Sequence, residues 1–271
     1  MTATDKPKAP GLLDGKFSPT RPLAASGNLF AFALDTMRAL PKRPFQIREF
    51  IQQTWFIASV TILPTALVAI PFGAVIALQL GSLTRQLGAQ SFTGSASVLA
   101  VLREASPIVT ALLIAGAGGS AICADLGARK IRDEIDAMEV LGISPIQRLV
   151  VPRVLACMLV ATLLNGLVSV VGVAGGYVFN VVLQDGTPGA YLSSFTALAQ
   201  LPDLWQGMLK ALVFGMIAAI VACYKGMNAK GGPKGVGDAV NESVVISFML
   251  LFVVNFVMSA IYFQLVPPKT G

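Results

Sequence analysis

Five long apolar segments dominate the pattern of residues along this chain, and short charged or polar stretches separate them. About 20 helical residues are needed to cross roughly 30 Å of hydrocarbon, so each segment is long enough for one membrane span. The pattern predicts spans at approximately 54–80, 98–124, 150–183, 204–224 and 240–265. We therefore expect an all-α integral membrane protein with five transmembrane helices.

The residues before the first span divide into two parts. Residues 1–27 are rich in Pro, Lys, Gly, Ala and Ser, which is typical of a disordered tail, here cytoplasmic. After them, Leu29, Ala33 and Met37 recur at helical spacing in a segment too short to span a bilayer. This pattern favours an interfacial amphipathic helix at 28–50 that leads into the spans of a single domain, residues 28–268.

A charged stretch, residues 124–152, lies between the second and third spans. Its apolar positions recur at helical spacing and predict one short amphipathic helix at 127–142, tethered at both ends to the membrane. Such a helix is placed to receive force from a soluble partner, although an ordinary solvated loop helix fits the spacing equally well. The stripe consists of Ile131, Ile135, Met138 and Leu141.

The distribution of basic residues predicts the orientation. With the N-terminus in the cytoplasm and the C-terminus outside the inner (plasma) membrane, 16 of the 20 Lys and Arg residues lie in cytoplasmic segments. The net charge of +6 is therefore a topology signal and a contact with anionic lipid, and we expect no nucleic-acid partner. The outer loop at 183–203 is apolar for an exposed loop, so it could rest on the membrane or dock another protein.

Composition excludes several kinds of chemistry. The chain is 55% hydrophobic and only 13% charged, and it has no histidine, which removes histidine-based catalysis and the commonest metal ligand. The three cysteines have no C-x-x-C spacing, and we expect them to be small buried residues. We expect neither a catalytic nor a metal site.

The chain also lacks a visible energy source. The Gly- and Lys-rich loop at 225–237 has no preceding strand and no Lys-Ser/Thr ending, so it is not a phosphate-binding loop. Lys210 lies near one end of a span, and we expect it to extend to the interface. Arg103 and Glu104 favour a plain interfacial pair, with a cavity mouth as the alternative. With no ion relay visible inside the spans, energy has to enter through a partner.

Small residues at four-residue spacing occur in the second and third spans, where they allow helices to approach closely. Tight packing within one bundle explains most of them, and a self-association face is the alternative. They include Ala111, Ala115, Gly119, Gly172 and Gly176.

The stretch 102–153 runs from L-R-E-A-S-P through I-C-A-D-L-G-A-R and E-I-D-A-M-E-V-L-G-I to V-V-P-R. It resembles the signature block of MlaE/YrbE-type ABC permeases. These are the membrane subunits of Mce-associated lipid transporters. The similarity continues through L-L-N-G-L-V, A-C-Y-K-G and K-G-G-P-K-G-V-G-D-A-V-N-E-S-V-V and covers most of residues 28–265. The details are most similar to actinobacterial members, and to the A-type of two paired permeases. Ala117 stands where many Gram-negative relatives have an Arg, so a headgroup contact by that Arg does not carry over.

The resemblance implies a permease subunit of an ATP-driven transporter that moves fatty acids, sterols or phospholipids across the inner membrane, as an importer. It implies four partners: a cytoplasmic ABC ATPase that holds ATP and Mg²⁺, a second permease that is a paralogue or another copy, Mce-domain proteins outside, and the lipid. The chain itself would hold no cofactor. The coupling helix would use Arg132, Asp133, Glu134, Ile135, Asp136, Met138, Glu139 and Leu141, with Ile135, Met138 and Leu141 filling a groove of the ATPase. The lipid-cavity candidates are Glu104, Pro107, Gly119 and Leu78.

Two other functions compete with this interpretation. An ion-coupled secondary carrier of a hydrophobic substrate would need a titratable group deep in a span, and the sequence shows none. An intramembrane lipid-modifying enzyme is disfavoured by the missing histidine.

Overall fold

The computed structural model describes residues 20–41, 46–89, 92–183 and 200–265, together with the isolated positions 189 and 193. Within these residues the ordered elements are helices, and no strand occurs. The all-α prediction is therefore confirmed. Most of the predicted tail and most of the outer loop at 183–203 lie outside the described residues.

In its continuous described ranges the chain forms seven helices, and the isolated positions 189 and 193 are also helical. In chain order they are α1 (Thr20–Ala39), α2 (Ile47–Gln86), α3 (Thr93–Ile131), α4 (Glu134–Val140), α5 (Ile146–Val182), α6 (Leu201–Met227) and α7 (Gly232–Leu265).

Among the described residues, five helices are long and apolar enough to cross a membrane, namely α2, α3, α5, α6 and α7. The five predicted spans are thus confirmed, and every helix extends beyond the predicted apolar segment. α7, for example, begins eight residues before 240, because Gly231 and Gly232 have positive φ angles and turn the chain just before it. Helical hydrogen bonding continues past the point where the apolar pattern stops.

The first helix differs from the prediction at both ends. It begins at Thr20, so residues 20–27 are helical rather than part of a disordered tail, and it ends at Ala39. Residues 47–50, which were expected in the same interfacial helix, instead form the first turn of α2. α1 packs against the bundle through Phe32, whose ring centroid lies 5.5 Å from that of Tyr224.

The charged segment after the second span is also not one helix. α3 continues to Ile131, the chain then turns at Asp133 with φ 58°, and the separate seven-residue helix α4 follows. The prediction of a single helix at 127–142 is therefore wrong, because a left-handed residue interrupts the helical hydrogen bonds. The predicted stop at Gly142 is confirmed: with φ 74°, it allows Ile143 N–H to donate to Met138 C=O at 2.9 Å.

α6 is the central helix of the bundle and contacts α3, α5 and α7. These contacts are close because small residues line them. A Cβ added to Gly215 would lie 2.8 Å from the carbonyl oxygen of Cys157, and one added to Gly226 would lie 2.7 Å from that of Cys123. The three cysteines are buried free thiols, as predicted. The small residues of α3, α5 and α6 thus serve packing within the chain.

α2 and α5 form the second close pair. A Cβ on Gly73 of α2 would lie 2.1 Å from the carbonyl oxygen of Gly172 on α5, so the two backbones are in direct contact. α7, in contrast, packs along one side and leaves many apolar side chains exposed, among them Phe252, Phe256 and Phe263. The bundle has two ends. We call the end at which α4 lies the α4 end, and the end at which α3 and α6 begin the Glu104 end.

Candidate functional site

A buried lysine lies inside the bundle at the Glu104 end. Lys210 is nine residues into α6, roughly 14 Å from its start at 1.5 Å per residue, and its side chain is fully buried. Its Nζ donates to Glu104 Oε1 at 2.9 Å, to the Arg103 carbonyl oxygen at 2.9 Å and to Ser259 Oγ at 2.7 Å. The ammonium group therefore has three acceptors, which is its full donor capacity.

Glu104 connects this lysine to α7. Ser259 Oγ donates to Glu104 Oε1 at 2.8 Å, and Asn255 Nδ2 donates to Oε2 at 3.2 Å. The Glu104 side chain is 40% exposed, so its carboxylate lies at the boundary between the buried lysine and the bundle surface. A hydrogen-bond donor of a ligand can reach the exposed part of the Glu104 carboxylate from that surface.

A second ion pair lies one residue away in sequence. Arg103 Nε donates to Asp203 Oδ1 at 2.6 Å, and Tyr262 Oη donates to the same oxygen at 2.7 Å. The Arg103 guanidinium also lies over the rings of Tyr262 and Phe263, at 5.5 and 5.8 Å from their centroids. Each pair thus joins α3 to α6 and adds a contact with α7.

Two expectations from the sequence are corrected by these contacts. The Lys210 side chain does not extend out of the bundle, and the spans do contain ion pairs that are buried or partly buried between helices. Arg103 and Glu104 do not form a plain interfacial pair either, because adjacent residues point about 100° apart on a helix. Each finds a partner on α6, where Asp203 and Lys210 are seven residues apart and share a face. No local signal predicts these partners, which are about 100 residues away.

Both ion pairs use residues of an irregular turn of α3. Residues Val101–Ala105 form a π-helical turn, and Pro107 follows in the next turn. Such bulges rotate successive side chains away from their regular helical positions and recur at functional sites. The turn allows α3 to direct Arg103 and Glu104 toward two different partners on one neighbouring helix.

The other lipid-cavity candidates are spread over the bundle: Pro107 lies one turn after Glu104 on α3, and Gly119 lies about four turns after it. Pro107 and Gly119 are buried between α3 and α6: a Cβ on Gly207 would lie 3.8 Å from Pro107 Cγ, and one on Gly119 would lie 3.8 Å from Ala222 Cβ. Leu78 is on the surface of α2. The structure therefore does not bring these four residues together within one chain.

Two apolar grooves at the Glu104 end have the size and lining that suit hydrocarbon chains, and the sequence analysis missed both. One, of about 450 Å³, is bounded by α3, α5 and α6, and the other, of about 560 Å³, lies between α6 and α7. The first includes Leu102, Val173, Tyr177 and Leu204; the second includes Trp205, Leu209, Ile261 and Tyr262. The residues that line each groove come from helices distant in sequence, so no local sequence motif predicts the grooves.

At the opposite end, α4 presents a mixed surface. Ile135 is only 1% exposed and belongs to the core of this chain, and Met138 packs against that core. Val140 and Leu141 are 87% and 74% exposed. The expectation that Ile135 fills a groove of another protein is thus corrected, because its side chain is already enclosed. Of the predicted stripe, Ile131 and Leu141 remain exposed, and Leu141 is the more exposed of the two.

The charged residues of α4 also divide into two groups. Glu134 accepts a hydrogen bond from Arg132 Nε at 2.7 Å, and Asp136 pairs with Lys130 at the end of α3. Asp133 and Glu139 are exposed, and Glu139 stands beside the exposed Val140. The paired carboxylates stabilise the turn between α3 and α4, while the exposed ones face outward.

A family model described as Permease MlaE matches residues 50–261, which include all five spans except for parts of the first and last turns. The chain belongs to the MlaE permease family. It is a multi-pass membrane protein and a transport subunit rather than an enzyme.

Two relatives of this MlaE-family chain are named as probable ABC transporter permeases, and a third has a different name. A probable ABC transporter permease of Synechocystis is 39% identical over 192 residues, which cover 71% of this chain and 73% of the relative. A probable ABC transporter permease of Rickettsia felis is 32% identical over 239 residues, covering 88% and 92%. The chloroplastic protein trigalactosyldiacylglycerol 1 of Arabidopsis thaliana is 33% identical over 179 residues, which cover 66% of this chain and 51% of that protein. The chain is therefore an ABC transporter permease, and that role implies an ATPase partner.

Proposed function

We propose that this permease moves lipids across the inner membrane, as an importer of fatty acids, sterols or phospholipids. Two grooves with almost wholly apolar linings carry the proposal, and one of them is lined by Tyr262, which donates a hydrogen bond to Asp203 of the buried ion pair. An amphipathic substrate needs a surface of this kind, with apolar volume for its chains and a few polar groups for its head. The name of the Arabidopsis relative, which is that of a glycolipid, supports a lipid substrate.

We infer that the ATPase partner docks on α4 and supplies the ATP and Mg²⁺ site, so that this chain needs no cofactor of its own. The exposed Val140, Leu141 and Glu139 would make the contact, and the predicted residues Arg132, Asp133, Glu134, Asp136 and Met138 would hold α4 in shape. ATP binding would then move the helices as rigid bodies and change the grooves.

The remaining partners follow from the resemblance to Mce-associated permeases. A second permease, a copy or a paralogue, would face this chain across a shared cavity that includes Glu104, Pro107, Gly119 and Leu78. Mce-domain proteins would sit at the Glu104 end, outside the membrane, with the N-terminus and α4 in the cytoplasm and the C-terminus outside. The same resemblance favours an actinobacterial system and the A-type member of a pair.

One observation favours a second candidate, transport coupled to an ion. The Glu104–Lys210 pair is a titratable pair inside the spans, which is the feature that an ion-coupled carrier requires. The energy source separates the two candidates: a carrier moves its substrate without an ATPase, whereas the proposed transporter stops when the ATPase is removed.

The test is purification from native membranes, with mass spectrometry of both the copurifying proteins and the bound lipids, followed by reconstitution in vesicles. We expect an ABC ATPase, a second permease, Mce proteins and lipid to copurify, and lipid transfer to require ATP hydrolysis. The chain purified alone should hydrolyse no ATP. Transfer driven by an ion gradient in the absence of ATP would favour the carrier instead.

A further inference from the structure

One buried arginine joins three spans at the α4 end. Arg153 lies near the start of α5, and its side chain is fully buried. Nη2 donates to Asp125 Oδ2 of α3 at 2.6 Å, and Nη1 donates to the Leu149 carbonyl oxygen at 2.8 Å. A buried guanidinium is stable only with such partners, so this contact holds α3 and α5 together.

The contact of Arg153 with the third span is incomplete. Nη1 lies 3.6 Å from Glu49 Oε1, in the first turn of α2. This distance is longer than the roughly 2.7–2.9 Å of a charge-assisted hydrogen bond. Within the described part of the chain, Arg153 Nε and Gln53 Oε1 have no hydrogen-bond partner, although both are buried. Gln53 Nε2 donates to the same Glu49 oxygen at 2.9 Å. We call this contact between Arg153 and α2 the junction. On its α2 side, Gln53 Oε1 can still accept a hydrogen bond.

The junction is next to the place where α4 leaves the bundle. α4 is held to the end of α3 by the Lys130–Asp136 ion pair and to the core by Ile135. Arg129, one turn after Asp125, donates to Asp125 Oδ1 at 3.3 Å. α4 is thus connected through the last turns of α3 to Asp125, and Asp125 is connected to Arg153.

We propose that Arg153 is a positioning residue that transmits movement of α4 to α2, with Glu49 as the group that receives it. The proposal rests on the proposed function, in which an ATPase acts on α4. When α4 is displaced, Arg153 shifts toward Glu49 and Gln53, completes its hydrogen bonds there and draws the α4 end of α2 toward α3 and α5. α2 is packed backbone to backbone on α5 at Gly73 and Gly172, so the two helices then move together.

Glu49→Gln is the variant that tests this step. Glu49 is 28% exposed and Arg153 keeps Asp125 as a partner, so the substitution leaves no buried charge without one, whereas replacement of Arg153 would break the contact between α3 and α5. The variant is purified with its ATPase and other copurifying subunits and reconstituted in vesicles that contain labelled lipid. We expect ATP turnover within twofold of wild type, an unchanged melting temperature, and at least fivefold less lipid transferred per ATP hydrolysed. Glu49→Asp should recover at least half of the transfer.

Glu242→Gln is the matched control, because it removes an ion pair with Lys225, 2.6 Å apart, at the same end of the bundle. It should leave both ATP turnover and transfer unchanged. The proposal is overturned if Glu49→Gln transfers lipid with wild-type stoichiometry, if its ATP turnover and transfer fall together, or if the control shows the same loss. A wild-type complex that retains no ATPase or transfers no lipid would instead refute the proposed function, and with it the assumption on which this step rests.

Discussion

Lys210 Nζ lies 2.9 Å from Glu104 Oε1, so a span of this permease holds a fully buried cation paired with a half-exposed carboxylate. The two residues are 106 positions apart and belong to different helices. Ser259 of α7 is within hydrogen-bonding distance of both groups. The pair therefore determines how α3, α6 and α7 are arranged at the end where the apolar grooves open.

Removing the lysine should destabilise the permease more than removing both charges. Lys210→Met leaves Glu104 without its cation; because that carboxylate is partly exposed, we expect a loss of about 1–3 kcal/mol, less than the roughly 3–5 kcal/mol of a fully buried pair. Thermal unfolding in detergent measures the effect. The double variant Lys210→Met/Glu104→Gln should recover most of the melting temperature, and a double variant as unstable as the single one would contradict this account.

The contact between α2 and α5 should not tolerate a side chain at Gly73. Gly73→Ala places a Cβ 2.1 Å from the Gly172 carbonyl oxygen, so the helices must separate, at a cost of about 1–3 kcal/mol. Gly166→Ala on α5 is the matched control, because a Cβ there meets nothing within 4 Å among the described residues. Melting temperature and membrane yield should fall for the first variant and stay unchanged for the second. Equal behaviour of the two would mean that the close approach is not needed.

Substitutions of the exposed Leu141 and of the buried Ile135 should give different defects. Leu141→Ala should reduce copurification of the ATPase while the melting temperature of the permease is unchanged, because Leu141 is exposed. Ile135→Ala should lower the stability of the permease itself by about 2–5 kcal/mol, because its side chain is enclosed in the core. Copurification in detergent and thermal unfolding separate the two. A normal ATPase yield from Leu141→Ala would remove this face from the proposed contact.

Charge reversal at Glu139 should weaken the ATPase contact more than reversal of a carboxylate elsewhere. Glu139 is exposed beside Val140, whereas Glu134 and Asp136 are held in ion pairs within the chain. Glu139→Lys should therefore lower ATPase copurification several-fold, with a stronger effect at low salt, since exposed charges are screened. Asp35→Lys on α1 is the matched control and should retain the ATPase. Equal losses from both variants would indicate a non-specific charge effect.

Cysteine labelling tests the orientation. The three native cysteines are buried, so a single introduced thiol reports its own position. Glu139→Cys should react with a membrane-impermeant maleimide in inverted vesicles but not in intact cells. Leu87→Cys, on the exposed turn after α2, should show the opposite pattern. Labelling of Glu139→Cys from outside intact cells would reverse the topology and remove the ATPase from α4.

The hydrophobic pattern predicts the helices better than their ends and partners. It missed the break at Asp133, because a left-handed conformation at a residue other than glycine leaves no mark in the hydrophobic pattern. It placed Ile135 and Leu141 on one stripe, since both fit the helical period. Packing then enclosed Ile135 and left Leu141 exposed, because the helix is shorter than predicted and ends one residue before Leu141.

By itself, the sequence determined that this protein is an all-helical chain with five apolar helices long enough to cross a membrane. The thickness of the hydrocarbon layer sets the minimum length of a membrane span. Each apolar segment reaches that length by itself, whatever its contacts with the other helices. Only the tertiary structure decided that Lys210 pairs with Glu104, that Arg153 joins three spans, and which face of α4 is open. These relationships depend on how helices rotate and pack against one another, and residues more than 100 positions apart along the chain meet only when that packing is complete.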